Sequence, residues 1–387
     1  MANFDVIIVG GGLVGAGLAA ALANNGLKLA LVEAGATPSA PGADWDQRVY
    51  AISPNEAAFL EQCGVWKRLD ESRVERVEAM EVYGDTGARL DFSAYQSGVR
   101  ELAFILESGR LHHALWQGLE RQDDLVLFGS AWCASFTCGD DDAVLGLADG
   151  STLRGKLIVG ADGGNSWVRA QAGIAATTRA YGQMGVVANF ECEKPHRGIA
   201  RQWFRADGIL AYLPLPERRM SMVWSAWDAK AQTLLALSPQ ALCDEVAQAG
   251  QHSLGELRLV TPPAAFPLKI QKVGRLIAPR CALIGDAAHG VHPLAGQGVN
   301  LGLRDARELA QALKNRGANP DCGDHALLRR YERARREDIL AVQMVTDGLQ
   351  RLFGSAVPGL GRLRNTGLDL ANRLAPLKKL LVRHALG

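Results

Sequence analysis

Residues 4–33 read FDVIIVGGGLVGAGLAAALANNGLKLALVE. Phe4 to Val9 is a short apolar run rich in β-branched residues, which predicts a strand buried in a parallel sheet. Gly10 to Gly15 follows as GxGxxG. Ala16 to Asn25 is small and apolar and predicts a helix, with Gly26 as its stop. Lys28 to Val32 predicts a second strand, and Glu33 stands at its end. Gly10 permits the tight turn, and Gly12 lets the backbone approach a pyrophosphate. Gly15, with Ala19 one turn on, lets the helix lie close to the strand. Leu13 and Val14 complete the motif at the helix start, where free N–H groups and the positive dipole end favour phosphate. Glu33 can accept hydrogen bonds from ribose hydroxyls. Strand, helix, strand and acid in this order predict a dinucleotide site, without choosing FAD over NAD.

The rest of the chain sets bounds on that site. At 387 residues, 48% hydrophobic and 21% charged, it has the composition of a globular protein with room for two domains. A net charge of +1 gives no electrostatic case for nucleic acid. The seven cysteines include no CxxC pair, so reduced thiols are expected rather than disulfides or zinc. The N-terminus lacks a basic leader, and no run of apolar residues is long enough to span a membrane.

Two further motifs lie downstream. Thr152 to Val159 predicts a strand running into Gly160–Arg169, a DGxxSxxR segment. Its residues leave two readings open. Asp162 faces a cofactor, or it caps the next helix and Arg169 lies at the surface. Cys281 to Ile284 predicts another strand, followed over 285–306 by GDAAHGVHPLAGQGVNLGLRDA. His289 and His292 do not form a metal pair, because they flank a turn and no cysteine or acid cluster completes a shell. Gly296 and Gly298 carry no side chain, so the backbone there is open to close approach. Asn300 can cap a helix expected over Asn300–Lys314.

These three motifs, in this order and at these separations, resemble the group A flavoprotein monooxygenases of the para-hydroxybenzoate hydroxylase type. HPLAGQGVNLGLRD (292–305) and DQRVYAIS (46–53) are similar to the ubiquinone-biosynthesis hydroxylases among them. The resemblance implies an α/β fold. An FAD-binding Rossmann-like domain of the glutathione-reductase type carries an inserted antiparallel-sheet substrate domain and a C-terminal helical segment. It also implies that Asp162 approaches the cofactor and that Asp286 bonds the ribityl chain. The backbone of Gly296, Gln297, Gly298, Val299 and Asn300 would lie against the isoalloxazine. Arg48 would lie near the flavin and Arg110 would contact FAD from a helix start. Trp132 falls where a backbone contact to adenine is expected, although it is bulkier than the family's small aliphatic. Pro293 would fix the turn beside the reacting edge of the flavin. His292 sits where substrate would arrive, and catalytic and structural parts remain open for it. A structural part is expected for His289.

The activity implied is hydroxylation of an aromatic ring, with NADH or NADPH as transient reductant and O2 as oxidant, through a flavin C4a-hydroperoxide. The substrate implied is a polyprenylated phenol or benzoquinol intermediate of ubiquinone biosynthesis. Rival readings are a soluble phenol hydroxylase or an alkene reductase on the same scaffold, and a flavin-binding scaffold of a biosynthetic complex. The expected location is cytoplasmic, with peripheral contact at the inner face of a membrane or with a quinone-biosynthesis complex.

The cofactor domain is expected to be discontinuous, over 1–75, 101–177 and 270–345, with 76–100 and 178–269 forming the substrate domain. C-terminal helices are expected over 346–387. Within the substrate domain, Gln183–Glu191, Ile199–Arg205 and Ile209–Trp227 alternate like antiparallel strands, with a break at Tyr212–Pro216. Ser238–Gly250 predicts a helix. Over 362–387, five basic residues besides Arg362 stand against one acid, Asp369, beside a leucine stripe. This segment reads as a helix docked on the core with a solvated basic face, or as a membrane-surface helix.

Overall fold

The computed structural model describes residues 2–85, 87–292 and 296–354. Pro293 and the basic segment 362–387 lie outside the described residues, as does the rest of 355–387.

The opening apolar run forms the strand Ala2–Val9, the centre of an eight-stranded sheet. It pairs in parallel with Leu29–Val32 on one side and Thr152–Gly160 on the other. Parallel pairing continues to Leu125–Phe128 at one flank and Cys281–Leu283 at the other. Val6, Ile7 and Ile8 are fully buried, as expected for a strand covered on both faces. The registers bring Val9 opposite Val32 and Gly160, and Gly160 opposite Leu283. All three motifs therefore emerge at the same edge of the sheet, beyond the carboxyl ends of its strands, where ligands bind in open α/β sheets.

The helix after Gly12 spans Leu13–Ala21, three residues earlier than expected, because Gly12 itself serves as its N-cap. It packs against the helices Ser108–Leu119 and Gln297–Lys314. Two glycines set these approaches. A Cβ on Gly15 would fall 2.0 Å from the Gly10 carbonyl oxygen, and one on Gly302 would fall 2.6 Å from a Val14 methyl.

A second eight-stranded sheet runs in the order Leu257–Leu259, Ala176–Cys192, Arg219–Trp227, Gly208–Leu215, Ile199–Arg205, Ala79–Tyr83, Arg89–Ser93, with Ala264–Val273 paired to the first half of Ala176–Cys192. All pairs are antiparallel except Ile199–Arg205 with Ala79–Tyr83. Strand alternation separates its two faces. Leu210, Tyr212, Met222 and Trp224 pack in a core with the helices Asp228–Ala236 and Pro239–Ala249. Ile209, Ala211, Leu213 and Val223, the intervening residues, line a cavity on the opposite face. Pro214 lies inside the strand Gly208–Leu215, near its end, where few ladder bonds are lost. The break falls later than expected, in the turn holding Glu217 at φ +68°.

Candidate active site

The glycine turn is locked from both sides. Glu33 accepts hydrogen bonds from the Gly11 N–H (2.6 Å) and the Gly35 N–H (2.7 Å). On the other side, the Gly11 carbonyl accepts from Trp116 Nε1 at 2.9 Å and lies 2.7 Å from His112 Nε2. His112 and Trp116 stand one turn apart on the helix Ser108–Leu119, a spacing visible in the sequence but not read there. A Cβ on Gly10 would meet the Ala161 carbonyl oxygen at 2.4 Å, at a φ of +106° that disfavours any side chain. A Cβ on Gly12 would meet nothing within 4 Å. Gly10 and Gly15 thus are required by the fold, whereas the space beside Gly12 is open.

The second motif takes the helix-capping reading. Asp162 accepts from Ser166 Oγ at 2.5 Å and from the Val168 N–H at 3.0 Å. These bonds show the capping part of the two readings; an approach of the same residue to a cofactor remains an expectation. The motif's backbone at Ala161, Gly163 and Gly164 lines the cavity. Arg169 is not a free surface group. It donates to the Gly164 carbonyl and the Ala287 carbonyl, both at 2.9 Å, and so ties the second motif to the third.

In the third motif Asp286 is exposed and lines the cavity, and its carbonyl accepts from Gln271 Nε2 at 2.9 Å. Gln343 Nε2 in turn donates to the Gln271 carbonyl at 2.8 Å, and Gln271 bridges Gly290. The turn is therefore held from the helix His325–Gly354. His289 is structural, as expected. It lies 2.5 Å from Asp305, which also pairs with Arg335 at 2.7 Å and accepts from the Gly285 N–H.

His292 departs from the place expected for it. It is fully buried, packs edge-on against Tyr181 and lies 3.4 Å from Gln183 Oε1, with no hydrogen bond to Nδ1 among the described residues. It does not line the cavity. Burial pushes its pKa down to about 4, against a smaller opposing pull from Asp347, so the ring is neutral near pH 7.

The third-motif helix spans Gln297–Lys314 and begins three residues earlier than expected. Its N-cap is Gly296, at φ +63°, with no side-chain cap. Asn300 is therefore not a cap. It lies inside the first turns, where its Oδ1 accepts from the Ser53 N–H (3.0 Å) and its Nδ2 donates to the Ala51 carbonyl (2.8 Å). The positive end of this helix lies beside the cavity, which Gly296, Gln297, Gly298 and Val299 line.

Arg48 lines the same cavity, stacked 5.1 Å from the Tyr50 ring. Arg110 does not line it. Its guanidinium pairs with Glu107 at 2.8 Å and donates to the Gly42 carbonyl. Trp132 is 65% exposed, at a separate small cleft, and its carbonyl accepts from the Ala148 N–H. Its side chain is thus not a core aromatic.

The cavity as a whole measures about 1250 Å³. That exceeds the range of about 300–1,000 Å³ usual for one small ligand. One side presents the glycine turns, Asp286 and the uncapped helix end. The other is apolar, built from the second sheet and the far end of the helix His325–Gly354, including Val82, Leu90, Phe204 and Leu349. The clear space at Gly12, the solvent-facing Asp286 carboxylate and the uncapped helix end fit a flavin dinucleotide. Among the described residues no histidine, cysteine and carboxylate cluster could hold a metal.

Fold and site together define a flavin-dependent aromatic hydroxylase. The chain belongs to the family described as FAD binding domain, which matches residues 3–346, and it is an FAD-dependent monooxygenase. It is 36% identical to the ubiquinone hydroxylase UbiL of Rhodospirillum rubrum, over 99% of this chain and 89% of that protein. It is 35% identical to the 3-demethoxyubiquinol 3-hydroxylase of Escherichia coli, over 99% of this chain and 98% of that protein. In fold it is similar to the p-nitrophenol 4-monooxygenase PnpA of Pseudomonas putida, with a TM-score of 0.79 at 18% identity, covering 100% of this chain and 99% of that one.

Proposed function

We propose that this chain hydroxylates the ring of a phenol or benzoquinol carrying a polyprenyl tail, an intermediate of ubiquinone biosynthesis, with NADH or NADPH and O2 as co-substrates. The observation that carries this reading is the two-sided cavity. A single soluble phenol would not fill its apolar half, whereas an isoprenoid chain would bury well there. The names of the two relatives agree with it.

The residues proposed to hold FAD are the backbone of Gly10–Gly15, Glu33, Asp286 and the turn Gly296–Asn300. Bound there, FAD supplies two-electron reduction by a nicotinamide and transfer of one oxygen atom from O2 to the ring. The chain's own part is to orient and to exclude water. The uncapped first turn of Gln297–Lys314 favours negative charge that develops beside it. Arg48 adds a fixed positive charge at the rim. Met80, Phe92 and Phe204 wall the substrate side with groups that neither hydrate nor donate protons. Tyr50, whose pKa burial pushes up, stays a neutral donor in the wall.

Isotopically labelled O2 tests the reading. A polyprenylated phenol turned over with NADH or NADPH should gain one labelled oxygen. Product without label would favour a reductase, and no product from prenylated phenols alongside turnover of simple phenols would overturn the substrate. In cells lacking the chain, an under-hydroxylated prenylated intermediate should accumulate.

A further inference from the structure

We propose that the outer flank of the helix His325–Gly354 docks the chain on an anionic lipid bilayer, with the mouth of the apolar cavity set against the lipid. The amphipathicity of this helix is inverted near its end. A helix docked on a protein core turns apolar residues inward and polar residues outward. Here Gln343, Thr346 and Gln350 are buried, at 3%, 4% and 6% exposure, while Leu340, Met344 and Val345 are 46%, 69% and 57% exposed. Among the described residues only six large hydrophobics are exposed, and half of them fall within these six positions. Such concentration marks a surface that meets another apolar phase.

Two further observations specify that phase. First, Met344 and Val345 also line the cavity, together with Gly348, Leu349 and Leu352. The exposed patch is thus the lip of the apolar chamber. Second, the patch continues into positive charge. Arg329, Arg333, Arg336, Leu340 and Met344 recur at helical spacing and form one stripe, and all five are exposed. Arg329 pairs with Glu332, and Glu337 is the one exposed acid beside the stripe. Asp338 is turned inward onto Arg304 and Arg335. Apolar side chains beside exposed arginines match an acyl layer beside anionic headgroups. Among the described residues no helix is long and apolar enough to cross a membrane, so the contact is one that lies on the surface.

The purpose of the contact rests on the prenylated-substrate reading, since a tail could then pass from bilayer to chamber without crossing water. The contact itself needs no substrate, so the two fail separately. The FAD-loaded full chain would be sedimented with phosphatidylcholine vesicles, with and without phosphatidylglycerol. Binding to the anionic vesicles is expected. Arg333→Gln with Arg336→Gln should weaken it roughly 25-fold, at about fivefold per arginine. Leu340→Gln should weaken binding to the anionic vesicles about fivefold. All three side chains are exposed, so thermal midpoints should not move. Absence of binding to the anionic vesicles, or equal binding to the neutral ones, overturns the proposal. So does binding that survives both sets of substitutions, because another surface, such as the basic segment 362–387, would then carry it.

Discussion

Replacing Asn300 by alanine offers the sharpest trial of how the cofactor wall is held. The residue is 1% exposed and joins the strand Val49–Ile52 to the helix Gln297–Lys314 by one accepted and one donated hydrogen bond. Alanine would leave the buried Ser53 N–H and the half-buried Ala51 carbonyl without these partners. Each such group costs about 1–3 kcal/mol, so a loss of about 3 kcal/mol is expected for the pair. For 387 residues at about 2.1 cal/mol/K each, the unfolding entropy is near 0.8 kcal/mol/K, which converts that loss to a fall in Tm of about 4 °C. Ala51, Ser53 and Gly296–Val299 all line the cavity, so FAD retention should fall as well. Asn300→Asp keeps the acceptor but sets a carboxylate against the Ala51 carbonyl, and should be no better than alanine. The assays are calorimetry of the apoprotein and flavin stoichiometry after dialysis. An alanine variant with unchanged Tm and full flavin would refute the idea that this amide staples strand to helix.

The remaining expectations concern the same wall. Gly12→Ala should leave apoprotein stability nearly unchanged yet weaken FAD binding, whereas Gly15→Ala should destabilise the fold itself; unfolding curves and flavin titration separate the two. Asp286→Ala should bleach the purified protein, and a fully yellow variant would contradict a role in holding FAD. Gln343→Met removes the donor behind the Gln271–Asp286 link, so the visible spectrum of bound flavin should shift; an unchanged spectrum with a lowered Tm would leave Gln343 a purely structural group. For His292 the folded pKa lies below the free value, so the unfolded chain binds the extra proton first as pH falls. Its contribution is then full above about pH 6.5 and is lost progressively down to about pH 4, about 3 kcal/mol in all. His292→Phe should flatten the stability profile over that window, as measured by denaturant titration at several pH values.

What the sequence revealed was local. The strand, glycine turn, helix and acid of residues 4–33 follow one another along the chain, so their spacing alone carries the fold. Asp162 shows the opposite case. A carboxylate before a helix serves a cap or a ligand equally well, and only the 3.0 Å bond from the Val168 N–H shows the cap. Asn300 and Gly296 are both acceptable N-cap residues, so residue type alone does not place the start of this helix, which falls at Gly296. Arg169, His112 and Gln343 act across long separations on backbone carbonyls, which carry no sequence signal. The apolar chamber was invisible for a related reason. It is made of alternate residues from strands that become neighbours only in the folded sheet.

That long-range assembly bears on how the protein is made. The first strand, complete by Val9, has Gly160 as one of its edge partners, and Gly160 in turn awaits Leu283. At roughly 5–20 residues per second, ribosomal synthesis of the intervening 150 or so residues takes roughly 8–30 s, and the last strand comes later still. Through that interval an apolar strand keeps an open edge, the condition that invites misassociation. The flavin cradle is completed only when the turn at 285–300 emerges. Cofactor loading is therefore a late step, after most of the chain has left the ribosome, and flavin supply should govern how much nascent chain reaches a lasting native state.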